Sequence, residues 1–253
     1  MRIVTYNVHR CVGTDRRLDV ARVAAVIAAL EADIVCLQEL DVGRARTGGV
    51  DQAAAIALEL NMRSRFNAAM TVEEEQYGDA ILTALPHSVV KAGALPTVKG
   101  VPGLEPRGAI WLDIQIPGQT GQTTIQVINT HLGLVPREQR LQAAALLGPA
   151  WVGEARRRGP LMVIGDFNAP TGSQVYRAFD ARLRDSKILT QDSGRMLATF
   201  PSTFPVLRID HAFVSEGLTV ERVWVEDGPL ARKASDHLPL IVDFHPGGPG
   251  SAA

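Results

Sequence analysis

The chain has 253 residues, 46% of them hydrophobic and 21% charged, with a formal net charge of -1. That balance excludes a disordered or collagen-like chain and a basic protein drawn to polyanions by its overall field. Its two cysteines, Cys11 and Cys36, lack metal-like spacing and imply no disulfide framework, so both read as small packing residues in a reducing compartment.

Met1-Arg2 leads straight into Ile3-Val4-Thr5-Tyr6, with no charged and apolar leader, so a cytoplasmic protein is the expectation. Those residues read as a strand, with Asn7 at its end and Val8-His9-Arg10 beyond. From Asp19, a cap, the apolar residues Val23, Val26, Ile27 and Leu30 recur at the spacing of one helix face. The longest largely apolar run, Val23 to Leu30, is too short to span a bilayer, so no integral membrane segment is expected. Ile34 to Leu37 reads as a second strand, ending in Gln38-Glu39-Leu40-Asp41. A carboxylate there requires solvent, a partner or a metal, which makes Glu39 either a solvated strand end or a ligand for a hard cation such as Mg²⁺.

Arg44, Arg46 and Thr47-Gly48-Gly49 read as a mobile basic loop, followed by a helix from Asp51 to Leu60. Glu73-Glu74-Glu75 is a solvated run that leads into a strand holding Tyr77-Gly78-Asp79. The glycine marks either a close backbone approach or a bulge. Glu105-Pro106-Arg107-Gly108 precedes Ala109–Ile114, which should pair with 123–130 as an antiparallel hairpin across a turn at 118–122. Ile125, Val127, Asn129 and His131 share one face by the period of two, so His131 extends a core face to its open end.

Pro136 opens a helix with Leu141, Ala145 and Leu146 on its apolar side, which Pro149 kinks or splits before Gly159 ends it. Leu161-Met162-Val163-Ile164 reads as a strand covered on both faces, and Gly165 lets the backbone turn so that Asp166 and Asn168 reach a sheet rim together. Ser173 caps a short helix with Val175 and Phe179. Asp210 enters another apolar strand, and Asp236-His237 stands before the last one. Helices between strand pairs suggest two stacked sheets covered outside by helices. Residues 1–245 form one domain in this reading, and 246–253 a loose tail.

Taken together, Tyr6-Asn7, Gln38-Glu39, Tyr77-Gly78-Asp79-Ala80-Ile81-Leu82, Asn129-Thr130-His131-Leu132, Gly165-Asp166-Phe167-Asn168, Arg208-Ile209-Asp210-His211 and Ser235-Asp236-His237 form an ordered series. The series resembles the endonuclease/exonuclease/phosphatase superfamily over nearly the whole chain. The resemblance implies a DNase I-like four-layer α/β sandwich and Mg²⁺-dependent hydrolysis of phosphate esters, with Mn²⁺ as a substitute. It implies Glu39, Asn7 and Asp236 as metal residues and His131, Asp166, Asn168, Asp210 and His237 as catalytic ones. Asp166 would orient or deprotonate water, Asn168 would hold a phosphate oxygen, and Asp210 would orient His237. Arg10, Tyr77, Asp79 and Arg107 are expected to meet substrate.

Asp79 stands where the superfamily often has Asn, and His211 where an aromatic residue often follows the acid; no role is assigned to His211. The balanced charge and the local arginines, among them Arg16, Arg17, Arg44, Arg46 and Arg208, suit a small or lipid-derived phosphate ester, with peripheral phospholipid contact compatible. A DNA endonuclease or exonuclease is the alternative, with nucleic acid as partner. A catalytically silent phosphate-binding module is the alternative from another class.

Overall fold

Alternation in the first strand shows how the layers arise. In β1 (Arg2–Asn7) Ile3 joins an apolar cluster on one face of its sheet, while Val4 and Tyr6 join a second cluster on the other. A strand apolar on both faces is stable only between two covering layers. The computed structural model describes residues 1–98, 100–118, 121–190 and 197–247.

After β1 come α1 (Val20–Ala28), β2 (Ile34–Val42), α2 (Gln52–Glu59), β3 (Arg63–Val72), β4 (Glu75–Thr83) and β5 (His87–Ala94). The hairpin strands β6 (Gly108–Gly118) and β7 (Gly121–His131) precede α3 (Pro136–Leu146), α4 (Glu154–Arg158), β8 (Leu161–Asp166) and α5 (Gln174–Asp180). The chain closes with β9 (Arg184–Asp185), β10 (Asp210–Val214), β11 (Leu218–Val225), α6 (Pro229–Ala234) and β12 (Leu240–Pro246). Two six-stranded mixed sheets result, ordered β11-β12-β1-β2-β4-β3 and β5-β6-β7-β8-β10-β9.

The sheets stack through Ile3, Ile34, Cys36 and Ile81 on one side and Leu112, Val127, Met162 and Ile164 on the other. Val23, Ile27 and Ile56 of α1 and α2 cover the outer face of the first sheet. Leu146, Val152 and Phe179 cover that of the second. The fold is therefore the expected α/β sandwich.

Each sheet has a parallel pair at its centre, β1 with β2 and β7 with β8. Asn7 and Asp166 end one member of each pair, and their side chains bond to one another at 3.0 Å. Both pairs thus deliver their carboxyl ends to the same edge.

Several local expectations hold. Asp19 and Ser173 accept hydrogen bonds as helix caps, Asp51 does the same just ahead of α2, and Cys11 and Cys36 are buried free thiols. Others are corrected. Asp41 binds Arg46 through two hydrogen bonds, and Glu75 takes Arg44 and the Ala45 N–H, so charge pairing anchors the loop expected to be mobile. The buried side of α3 is Glu138, Gln139, Gln142, Ala143 and Leu146, while Leu141 is exposed. Polar side chains face inward because they bond loops: Gln142 accepts from the Gly133 N–H and Gln139 donates to the Asn168 carbonyl. β12 runs on to a buried Pro246, so the tail begins later than expected; residues 248–253 lie outside the described residues, as do 119–120 of the hairpin turn.

Candidate active site

Glu39 owes its position to a bulge. Leu37 pairs with Ala80 and Leu40 with Gly78, leaving one more residue on β2 than on β4, and Glu39 takes φ +60°. That conformation costs free energy for a side-chain residue and turns Glu39 out of the ladder to the sheet rim. Gly78 answers both of its possible readings. A Cβ there would lie 1.9 Å from the Asn67 carbonyl oxygen, and the β3–β4 register shifts between Ala68 and Met70.

On the other sheet His131 and Asp166 sit side by side in the β7–β8 register, and Asp166 faces Asp210 across β8–β10. Gly165 permits this closeness, since a Cβ would meet the Thr130 carbonyl oxygen at 1.9 Å. The strand continues through Gly165, contrary to the expected turn, and the chain turns at Asn168, where φ is +48°.

One atom is the focus of the site. Asp166 Oδ2 accepts from Asn7 Nδ2 at 3.0 Å and lies 3.5 Å from His131 Nε2 and 3.7 Å from His237 Nε2. Asn7 donates with the same nitrogen to Glu39 Oε1 at 3.1 Å, which links the two carboxylates. His237 Nδ1 donates to Asp210 Oδ2 at 2.9 Å, so Nε2 faces Asp166.

Charge states follow from burial and neighbours. Burial by itself lowers the His237 pKa, but the carboxylates of Asp210 and Asp166 outweigh it and raise the pKa to about 10. Burial, then the Asp210 charge, raises Asp166 to about 7, against the opposing pull of His237 and the Asn7 hydrogen bond. His131 is driven well below its ordinary value, first by burial and then by Arg107 and His237. A neutral His131 accepts at Nε2 from Asn168 Nδ2 at 3.0 Å, and the same amide donates to the Leu132 carbonyl at 2.9 Å. Both amide hydrogens of Asn168 are used in this way, which seats it against His131 at the strand end.

Asp79 is buried beside Glu39. Burial raises its pKa well above the carboxylate range, Arg107 opposes this, and Glu39 and Asp166 reinforce it. Its Oδ2 has no hydrogen-bond partner. Arg107 Nη1 donates to Glu105 at 2.7 Å and to the Tyr77 hydroxyl at 3.3 Å, placing Tyr77 and Arg107 together under the Glu39 rim. Asp236 is tied to the same edge through Ser235, whose hydroxyl bonds the Asn7 carbonyl at 2.7 Å and lies 3.3 Å from Asp236 Oδ1. Arg10 donates to His9 Nε2 at 2.9 Å, and His9 Nδ1 is 3.9 Å from Asp236 Oδ1.

The donor set fits a hard divalent cation. Glu39 and Asp236 offer carboxylate oxygens, Asp79 brings an unpartnered buried one, and no thiolate is near. Ligand atoms of Asp166, Asp210 and His237 also lie within 4.8 Å of one another. The Nδ1 of His237 is already bonded to Asp210 within that trio, while Glu39 stands at the rim beside Asn7.

Several contributors escape the sequence reading. Gln38 donates to Asn129 across the two sheets at 2.7 Å, and Asn129 donates to the carbonyls of Leu37 and Ala80. Both residues stand in the ordered motif series, but nothing in the sequence marks them as partners across the two sheets. His211 bonds the Ala169 carbonyl at 2.8 Å and packs on Phe167 and Tyr176, fixing the turn after Asn168. The Phe200 ring lies 4.9 Å from that of His237. Among the basic residues expected at the rim, Arg208 is buried against Asp185 through two bonds of 2.6 and 2.7 Å.

The chain is 29% identical to the uncharacterized protein YbhP of Escherichia coli (strain K12) over 96% of each sequence. In fold it is similar to an endonuclease/exonuclease/phosphatase from Beutenbergia cavernae, with TM-score 0.79 and 23% identity, covering 100% of this chain and 73% of that one. It is likewise similar to the mannosyl-6-phosphatase Bt3783 of Bacteroides thetaiotaomicron, with TM-score 0.74 and 21% identity over 96% and 99% of the two chains. The profile of the Endonuclease/Exonuclease/phosphatase family matches residues 4–237, and this protein belongs to that family.

Proposed function

We propose that this protein hydrolyses a phosphodiester or phosphomonoester of a small or lipid-derived molecule, with Mg²⁺ as cofactor and Mn²⁺ able to replace it. Family membership supports a phosphoester hydrolase or nuclease as the kind of enzyme. The observation that carries the finer reading is the convergence of Asn7, His131 and the Asp210-bound His237 on one oxygen of Asp166, with Glu39 joined to it through Asn7.

A phosphate ester is an anion, so the site must neutralise non-bridging oxygens, hold water in line and assist the leaving oxygen. His237, kept cationic and oriented by Asp210 through Nδ1, donates from Nε2 to a phosphoryl oxygen. Asp166, with a pKa of about 7, orients the attacking water and accepts its proton. His131, neutral and held by Asn168, adds an oriented dipole to the same pocket. Arg107 and Tyr77 bind a further substrate oxygen, with Arg10 at the outer rim. A divalent cation held by Glu39, with Asn7 and Asp236 beside it, would supply charge neutralisation that no titrating group provides.

The pairing of Arg44, Arg46 and Arg208 with Glu75, Asp41 and Asp185 favours a compact substrate over DNA, because paired arginines make a poor phosphate track. Among the described residues no helix is long and apolar enough to cross a membrane. A lipid headgroup would then be reached from the membrane surface.

The test is turnover of bis(p-nitrophenyl) phosphate and p-nitrophenyl phosphate with Mg²⁺, Mn²⁺ or chelator, alongside nicking of supercoiled and abasic DNA. Chelator-sensitive ester turnover that is lost in His237→Ala supports the proposal. Nicking at low protein concentration with no ester turnover assigns the site to nucleic acid. A protein inert toward every probe is a silent binding module.

A further inference from the structure

We infer that the cavity beside Asp210 and Asn168 receives the apolar group of the esterified alcohol, so that the substrate is a phosphate ester bearing an alkyl chain or aryl ring. This inference rests on the hydrolase reading above and names its substrate class.

The cavity has a volume of about 370 Å³, and its walls among the described residues are Pro170, Thr171, Lys187, Leu197, Val206, Leu207 and Arg208, so that two cations border an otherwise largely apolar lining. That is the size of a small-ligand pocket. Its walls are continuous with the catalytic residues. Pro170 and Thr171 follow directly on Asn168-Ala169, whose carbonyls are fixed by Gln139 and His211. Leu207 and Arg208 immediately precede Ile209-Asp210. Leu207 also pairs with Phe200, the residue whose ring lies 4.9 Å from His237. The Phe200–Leu207 pairing thus sets one wall of the cavity next to the residue that packs on His237.

The chemistry of the walls selects that substituent. Arg208 is committed to Asp185 through both terminal nitrogens, so it presents no free fork to a second phosphate. Apolar side chains make up most of the remainder. Two of the apolar walls are also open to solvent, Val206 being 45% and Leu207 42% exposed. Exposed apolar groups gathered at one opening mark a binding surface. Their continuity with the catalytic residues assigns that surface to the substrate itself.

The test uses methyl, butyl, hexyl and octyl p-nitrophenyl phosphates with Mg²⁺, with Leu207→Asp and Val206→Asp as variants. Both side chains are partly exposed, so the backbone bridge to Phe200 does not depend on them. For the wild type, kcat/KM should rise about fourfold per methylene until the cavity is filled. The rise should lie mainly in KM. In the variants the slope should flatten, with a much smaller loss for the methyl ester than for the octyl ester.

Turnover of the methyl ester with no chain-length slope in the wild type, or a slope that survives both substitutions, overturns the inference and leaves the hydrolase reading intact. If no ester is turned over the hydrolase reading fails, and calorimetry decides the cavity. Octylphosphonate binding at least tenfold tighter than methylphosphonate in the wild type, but not in Leu207→Asp, upholds the apolar subsite; equal binding overturns it. Loss of a dimer, or of pelleting with phosphatidylcholine vesicles, in Leu207→Asp with the slope unchanged gives the patch to another occupant and also overturns the inference.

Discussion

Replacing Asp210 by Asn tests the electrostatic centre of the site. The wild-type His237 pKa rises from 6.5 to about 10, and this group is buried. A rise of that size corresponds to about 5 kcal/mol at most of interaction favouring the cationic form, shared between Asp210 and Asp166. Because the folded pKa is raised, this stabilisation is fully present below pH 6.5 and is lost as pH climbs through 10. Asn at position 210 cannot supply the charge, and its amide can donate to Nδ1 and impose the wrong tautomer. We expect Asp210→Asn to lose about 2–3 kcal/mol of stability at pH 6 and much less above pH 10, measured by urea unfolding in chelator. In parallel, kcat/KM at pH 8 should fall about 10²- to 10⁴-fold, and the residual activity should decline at lower pH than in the wild type. A mutant within threefold of wild-type kcat/KM, or one destabilised equally at pH 6 and pH 10.5, would refute this account of His237.

The other predictions concern separate parts of the site. Glu39→Gln should abolish metal-dependent stabilisation, which for a ligand at a hundredfold excess over Kd is about 2.7 kcal/mol; an unchanged melting rise with added Mg²⁺ places the cation elsewhere. Asp79→Asn removes a buried carboxyl group with an unpartnered oxygen, so in chelator it should raise stability by about 1–3 kcal/mol. Because the folded Asp79 pKa is raised, that gain should grow as pH rises above the ordinary carboxylate range, and a loss of stability at pH 8 would count against it. Arg208→Met strands Asp185, which is fully buried, and should cost about 3–5 kcal/mol in urea unfolding at pH 7; a cost below 1 kcal/mol would mean that the pair is dispensable.

Strands apolar on both faces were legible because such runs need two covering layers, as β1, β2 and β8 show. The edge strands β3, β5, β9 and β11 were not recognised. Each lies at the margin of its sheet, where part of its surface meets water and no continuous apolar run is required. For the same reason the Arg44–Gly49 loop looked mobile: nothing local marks Asp41 and Glu75 as its anchors.

The sequence by itself determined the inventory of the site. Asn7, His131, Asp166 and Asp210 end or begin strands, so they were bound to reach sheet edges once the strands formed, whereas Glu39, inside β2, reaches the rim only through the bulge against β4. Only the tertiary structure decided their chemistry, because charge state depends on burial and on partners remote in the chain. Asp166 meets Asn7 from 159 positions away, and His237 meets Asp210 from 27. The carboxylates around His237 favour its cationic form, burial favours a neutral His131, and Asp185 draws Arg208 into the core. A one-dimensional pattern specifies which groups are present; the free energy of each protonation state is set by the three-dimensional arrangement of charges and solvent around it.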